Sequence, residues 1–157
     1  MDERRRIVNV LLDGDSLGAQ SRHAAHERNA AIFDLLEENS FTPTNGMLGP
    51  FILHLSEQEN RLIFDVRDES DQPAIEFSLP LTTFRSIVRD YHIICDSYYD
   101  AIKMGTPSRI QAIDMGRRGL HNEGAELMRT RLAANVEVDL DTARRFFTLL
   151  CVLRARN

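Results

Sequence analysis

The chain has 157 residues, of which 43% are apolar and 27% are charged. This composition is typical of an ordinary globular protein and excludes collagen-like, disordered and disulfide-stapled chains. The length predicts a single domain over residues 1–157, with ends that we expect to be mobile. No apolar run is long enough for a membrane-spanning helix, and the short stretch after the arginines at 4–6 does not have the form of a signal peptide.

The net charge of −5 argues against a protein that coats nucleic acid. The charge is unevenly distributed, because residues 1–50 carry −3, residues 51–100 carry −6 and residues 101–157 carry +4. Eighteen of the nineteen basic residues are arginine. A GC-rich genome is the simplest explanation of this bias. The alternative is that fixed guanidinium groups bind phosphate or carboxylate.

The first half of the chain predicts strands around one helix. Residues 7–12 form a β-type run that ends in a turn at Asp13-Gly14-Asp15, and residues 24–39 have helical periodicity. Residues 41–49 are rich in proline and glycine and predict a surface loop. Between about residues 50 and 79, three segments alternate apolar and polar side chains. This pattern predicts a three-stranded antiparallel meander with one buried face.

The second half is predominantly helical. Apolar residues recur at helical spacing from about 82 to 104, where Gly105 ends the helix. A second helix is predicted from Thr106 to Ala133, with Thr106 as N-cap and Pro107 as its first residue. Its glycines leave open whether it continues as one helix.

A short β-type run at 136–140 precedes a final helix, for which Asp141 is the predicted N-cap. This helix is apolar nearly all round from 146 to 153, so either the rest of the domain or a second subunit buries it. The predicted class is α+β, with a small, mainly antiparallel sheet, the meander plus short edge strands, packed by about four helices.

Residues 112–124 form a polar, glycine-containing cluster inside the helical pattern. On a continuous helix, Asp114, Arg117 and His121 lie within or at the rim of the apolar stripe. A buried arginine is costly unless it is paired. One interpretation is an internal Asp114–Arg117 pair, with His121 bonded to a carbonyl or carboxylate. The other is a pocket that binds an anion. If the helix breaks instead, Gly119 starts a second helix whose free N–H groups can hold the anion.

The candidate ligand-binding residues of this pocket are Asp114, Arg117, Arg118, His121 and Glu123. The two arginines hold the anion, His121 acts as acid or base, and Asp114 or Glu123 orients it. We expect no metal site, because the histidines at 23 and 26 lack the spacing of a zinc helix. We also expect no cofactor.

Several stretches together resemble a known family. They are HER at 26–28, IFDLLEEN at 32–39, GP at 49–50, NRLIFD at 60–65, AIDMGRRGLHNEG at 112–124, VEVD at 136–139 and DTARR at 141–145. The family is UPF0262, known mainly from alphaproteobacteria, and the resemblance covers nearly the whole chain. It implies a compact, single-domain bacterial protein in the cytoplasm. It implies no catalytic residues, because the family carries no assigned activity.

Two functional hypotheses follow. The first is a small cytosolic, non-enzymatic regulatory or protein-interaction module that self-associates. The alternative is a small enzyme or sensor that binds a phosphorylated or carboxylated metabolite through Arg117 and His121. The partners left open are a second copy of the chain and a small anion, whereas we expect neither nucleic acid nor a membrane. Cys95 and Cys151 lie in apolar runs and predict reduced thiols in the cytoplasm.

Overall fold

The computed structural model describes residues 2–13 and 22–154. The strands within these residues are β1 (Ile7–Asp13), β2 (Phe41–Pro43), β3 (Phe51–Gln58), β4 (Arg61–Arg67), β5 (Pro73–Pro80) and β6 (Val136–Val138). The helices are α1 (Arg22–Glu37), α2 (Arg85–Met104), α3 (Pro107–Leu132) and α4 (Leu140–Leu153). These elements confirm the predicted α+β class.

The larger sheet has the strand order β1-β3-β4-β5. Strands β3, β4 and β5 form the predicted antiparallel meander, whereas β1 pairs with β3 in parallel, so the sheet is mixed. Every second side chain of β3 and β4 is fully buried, including Leu53, Leu55 and Phe64. The period of two in the sequence therefore marks the face that carries the core. Strand β1 continues to Asp13, and the rest of the predicted turn lies outside the described residues.

The loop predicted for residues 41–49 was wrong at its beginning. Residues 41–43 form β2, which pairs with β6 in an antiparallel two-stranded sheet. The reason is Phe41, which is fully buried and packs against the rings of Phe51 and Phe146, with centroids 5.6 and 6.3 Å away. Burial of this ring outweighs the turn-forming residues that follow it.

Helix α4 lies at the centre of the core. Its side chains from Phe146 to Leu153, apart from half-buried Thr148, are at most 2% exposed within the single chain. The rest of the domain therefore buries this apolar helix, and no second subunit is needed for that purpose. Phe146 makes an edge contact with Phe64 of β4 at a centroid distance of 5.5 Å, which joins the helix to the sheet.

The predicted N-cap of α4 was wrong. The side chain of Asp139, not that of Asp141, accepts a hydrogen bond from the backbone N–H of Thr142 at 2.8 Å. The helix starts at Leu140, so Asp141 already lies in the first turn. There it forms an ion pair with Arg144.

Helices α2 and α3 form a pair that packs beside α4. A 3-10 turn at Leu81–Phe84 precedes α2, and Gly105 ends α2 with a left-handed φ of 69°. Pro107 is the first residue of α3, as predicted, and Thr106 occupies the N-cap position without a side-chain hydrogen bond. Helix α3 packs against both α2 and α4, so a residue of α3 that points inward lies between these two helices.

Candidate anion-binding site

Helix α3 runs without a break through Gly116 and Gly119 to Leu132, so the predicted alternative of a second helix starting at Gly119 was wrong. Two glycines permit close packing of this helix. A Cβ on Gly124 would lie 2.3–2.5 Å from the ring of Phe147 in α4, and one on Gly116 would lie 2.8 Å from Ile94 in α2. A Cβ on Gly119 would lie more than 4 Å from every described atom outside the neighbouring backbone of its own helix. Because α4 lies close to α3 at Gly124, the α3 residues just before Gly124, such as His121 and Asn122, lie next to the first turns of α4.

Asp114 holds two arginines on the α2-facing side of α3. Arg117 donates to Asp114 Oδ1 from Nη2 at 2.6 Å and from Nε at 3.2 Å, and Nε of Arg118 lies 3.0 Å from Oδ2. The hydrogen bond from Arg117, reinforced by both positive charges, lowers the pKa of Asp114. The guanidinium of Arg117 also lies 4.4 Å from the ring centroid of Tyr98, within the range of a cation–π contact. Arg117 is therefore fixed in position by Asp114 and Tyr98, whereas the side chain of Arg118 is 76% exposed.

His121 is bonded to a hydroxyl group, and not to the carbonyl or carboxylate that the sequence predicts. Its Nε2 lies 2.7 Å from Oγ1 of Thr148 in α4, and this hydroxyl donates to the carbonyl of Arg144 at 3.1 Å. A threonine hydroxyl has a single hydrogen, so Nε2 of His121 must be the donor toward Thr148. The neutral ring consequently keeps its unprotonated nitrogen at Nδ1.

The surroundings of His121 oppose its protonation. Burial, followed by the positive charges of Arg145, Arg144 and Arg117, lowers the pKa of His121 to about 4. The ring is packed between Tyr91 and Phe147, each with a centroid 5.4 Å away. At neutral pH this histidine is thus an uncharged group in a positive field.

Four arginines and His121 line a cavity of about 330 Å³ between α2, α3 and α4, which we call the basic pocket. Its lining within the described chain is Tyr91, Arg117, Arg118, His121, Asn122, Arg144 and Arg145. The carboxylates that anchor these arginines lie outside this lining. The partner of Arg144 is Asp141, and Nη1 of Arg145 lies 3.6 Å from Oδ2 of Asp34 in α1. Positive charge therefore reaches the pocket from two helices, α3 and α4.

Four of the five predicted site residues lie together in this arrangement. Arg117, Arg118 and His121 line the pocket, and Asp114 holds the two arginines from behind. Glu123 is exposed on α3 and is not part of the lining. The predicted wheel correctly placed Asp114, Arg117 and His121 at the edge of the buried face, where all three are half-buried.

Sequence reasoning missed Tyr91, Asn122, Arg144 and Arg145 as pocket residues. Asn122 accepts a hydrogen bond from Nε of Arg144 at 3.2 Å, which ties α3 to α4 beside the pocket. A signal for the arginine pair was present, because two adjacent basic residues directly precede the apolar run of the last helix. That the side chains of Arg144 and Arg145 point into the pocket follows only from the way α4 packs against α3.

Three other features of the sequence, the metal-binding residue types, the two cysteines and the apolar helices, can also be compared with the structure. Among the described residues, no three histidine, cysteine, aspartate or glutamate side chains are grouped so that they could hold a metal ion. Both cysteines are buried free thiols, and burial raises the pKa of Cys95 to about 11. Within the described ranges, every helix is too short or too polar to cross a bilayer.

The chain is similar to proteins of alphaproteobacteria over its full length. It is 51% identical to the UPF0262 protein of Paramagnetospirillum magneticum over 157 residues, which is 100% of both chains. It is 53% identical over 152 residues to the UPF0262 protein of Nitrobacter hamburgensis, covering 97% of this chain and 93% of that one. No solved structure gives a significant match. The profile of UPF0262, described as an uncharacterised protein family, matches residues 4–156, and the chain belongs to this family.

Proposed function

We propose that this protein is a small, non-enzymatic regulatory module that binds a phosphorylated or carboxylated metabolite in the basic pocket. The observation that carries the proposal is the convergence of Arg117, Arg118, Arg144 and Arg145 on one cavity beside a neutral histidine. Guanidinium groups form paired, charge-assisted hydrogen bonds with the planar oxygens of phosphates and carboxylates. An anion is therefore the ligand whose charge fits this lining.

Two of the arginines are already oriented for such a ligand. Asp114 holds Arg117, and Asp141 and Asn122 hold Arg144, so binding an anion does not have to order these two flexible side chains. Ordering such side chains costs about 0.5–1.5 kcal/mol each. Among residues 2–13 and 22–154, the four guanidinium charges have three carboxylate partners, so these groups together carry a net charge of +1.

The pKa of His121 favours binding over catalysis. An efficient general acid or base has a pKa near the working pH. His121 has a pKa of about 4, so its neutral ring is a weak base at pH 7 and holds no proton to donate as an imidazolium. We therefore rank an acid–base enzyme second. The two buried free thiols support a place in the reducing cytoplasm.

The experiment is a titration of the protein with inorganic phosphate, pyrophosphate and citrate, followed by thermal unfolding and by NMR of the histidine rings. We expect at least one anion to raise the melting temperature in a concentration-dependent way. We also expect it to raise the pKa of His121 by about one unit or more, because a bound negative charge favours the imidazolium. The second readout locates the anion beside His121.

Matched variants separate a built site from general attraction to a basic helix. Arg118→Ala and Arg144→Ala each remove a charge from the lining, and we expect each to weaken binding about tenfold or more, because a hydrogen bond to a charged group contributes about 1.5–3 kcal/mol. Arg109→Ala removes the same charge from an exposed position of α3 and should leave binding nearly unchanged. Equal losses in all three variants, or no shift of His121 with any anion, would contradict the proposal.

A further inference from the structure

A second, larger cavity of about 620 Å³ lies between the start of α1, the length of α2 and the end of α4. We call it the cleft. Helices α1 and α4 pack closely together, whereas α2 makes few contacts with α4, so a groove remains along α2. The volume falls in the range of about 300–1,000 Å³ that is typical of small-molecule sites.

The middle of the cleft is mainly apolar. Val88 of α2 and Leu150 and Val152 of α4 line it, and all three side chains are buried. His92 also lines it, and its Nε2 donates to the carbonyl of Cys151 in α4 at 2.9 Å. Cys95 continues this lining toward the far end. Such a surface suits a hydrocarbon chain, since burial of each methylene contributes about 0.8 kcal/mol.

One end of the cleft is positively charged. Arg85 and Arg89 from the first turns of α2 and Arg154 after α4 contribute to the lining there. Arg154 is held by Glu57 at 2.6 Å, while Arg89 lies 3.4 Å from Asp90 in an exposed pair. Arg85 has no ion-pair partner among the described residues, so the mouth of the groove keeps a net positive charge that can pair with a single carboxylate head group.

The opposite end is polar and disfavours an anion. Tyr99 donates a hydrogen bond to Glu27 of α1 at 3.3 Å, and His23 stacks on the Tyr99 ring at a centroid distance of 4.0 Å. Burial and the negative charge of Glu27 raise the pKa of Cys95 to about 11 and that of Tyr99 to about 12. Arg85 and Tyr99 are separated by 14 residues of helix, or about 21 Å. The cleft thus has arginine side chains at one end and, at the other, buried groups whose surroundings oppose a further negative charge.

We infer that the cleft binds a linear monocarboxylic acid with an apolar chain. Its carboxylate lies at Arg85, Arg89 and Arg154, and its chain runs past Val88 toward Cys95. This inference does not rest on the proposed function, because the arginines of the cleft and those of the basic pocket are different residues. Of the residues that the structure describes, Tyr91 alone lines both cavities.

The first test measures binding of hexanoate, octanoate and decanoate to the full-length protein by calorimetry, below their micelle concentrations. We expect the affinity to rise about fourfold for each added methylene, which corresponds to about 0.8 kcal/mol. The 1-alkanols of the same chain lengths should show the same rise in affinity per added methylene, but each should bind more weakly than the acid. An affinity that does not depend on chain length would overturn the inference, and it would leave phosphate or citrate binding in the basic pocket unaffected.

Two substitutions on α2 provide a matched pair. Val88 lines the cleft and is 7% exposed, whereas Ile102 is 47% exposed on the same helix outside it. We expect Val88→Phe to narrow the groove where the chain passes and reduce decanoate binding more than tenfold, and Ile102→Phe to leave it unchanged. The wild-type series keeps the test decisive if Val88→Phe does not fold. Equal binding by folded Val88→Phe and Ile102→Phe contradicts the proposed site.

A third variant tests the head-group end. Arg85→Ala should weaken decanoate binding about tenfold and leave decanol binding unchanged, because only the acid carries the charge that Arg85 meets. A final arm distinguishes the free acid from membrane lipid. Phosphatidylcholine vesicles with decanoyl chains should not sediment the protein at acyl concentrations where free decanoate binds. Sedimentation with the vesicles instead of binding of the free acid would overturn the assignment.

Discussion

The basic pocket and the cleft meet at Tyr91, yet His121 in the pocket and Cys95 in the cleft are kept neutral by opposite electrostatic effects. In the pocket, burial and arginine charges lower the pKa of His121. In the cleft, burial and the charge of Glu27 raise the pKa of Cys95. A negative ligand relieves the first effect and adds to the second. We therefore expect a negative ligand to be favoured beside His121 and disfavoured beside Cys95, and this contrast can be tested residue by residue.

The largest expected effect comes from Phe147, whose fully buried ring packs against both Tyr91 and His121. Phe147→Ala should reduce the free energy of unfolding by about 3–5 kcal/mol, because it leaves a void where the two cavities adjoin. Urea unfolding measures the loss. Phe33→Ala, at a side chain that is 64% exposed, is the control and should change stability by less than about 0.5 kcal/mol. Similar small losses of unfolding free energy in both variants would show that the Phe147 ring does not hold the boundary between the two cavities.

The second effect is the pH dependence of stability that His121 causes. Its folded-state pKa of about 4 lies below the unfolded value of 6.5, so the unfolded chain binds the extra proton between these values. The contribution to stability is complete above about pH 6.5 and is lost as the pH falls toward 4, by about 3 kcal/mol in total. Denaturation curves between pH 7 and 4 measure it.

The control for this prediction compares His121→Gln with His26→Gln, an exposed position on α1. Only His121→Gln should flatten the pH dependence. A saturating anion should flatten it in the wild type as well, because the anion raises the pKa of His121. An identical dependence of stability on pH in the two variants would show that His121 is not the group whose pKa is lowered by burial and the neighbouring arginines.

A third effect concerns the glycines that set the distance between α3 and α4. Gly124→Ala places a Cβ against Phe147 and should destabilise the fold by about 1–3 kcal/mol. Gly119→Ala meets no neighbouring atom within 4 Å and should stabilise the helix by up to about 1 kcal/mol. Thermal unfolding of the two variants measures these changes, and a loss of stability in Gly119→Ala would mean that α3 is not helical there.

The smallest effect distinguishes the two acidic residues at the start of α4. Asp139→Ala removes the capping hydrogen bond to Thr142 and should cost about 1 kcal/mol. Asp141→Ala removes only the exposed ion pair with Arg144, which should cost less than about 0.5 kcal/mol. Chemical denaturation separates the two values. A larger loss of stability in Asp141→Ala than in Asp139→Ala would mean that Asp141, as the sequence predicts, is the N-cap of α4.

Local spacing in the sequence identified the elements whose pattern is regular. The period of two located the meander, and the helical wheel placed Asp114, Arg117 and His121 on one edge of α3. The parallel pairing of β1 with β3 and the pairing of β2 with β6 were not predictable, because they join segments far apart in the sequence. For the same reason Arg144 and Arg145 were missed as site residues, since their direction depends on how α4 packs against α3.

The central position of α4 has a consequence for synthesis of the protein. Because α4 is the last described element in chain order, the apolar face of the sheet has no cover until this helix has left the ribosome. The strands and α1 to α3 therefore emerge first as a chain with exposed core surface, which is prone to aggregation. We expect folding to be completed only after translation of α4, with chaperones protecting the nascent chain until then.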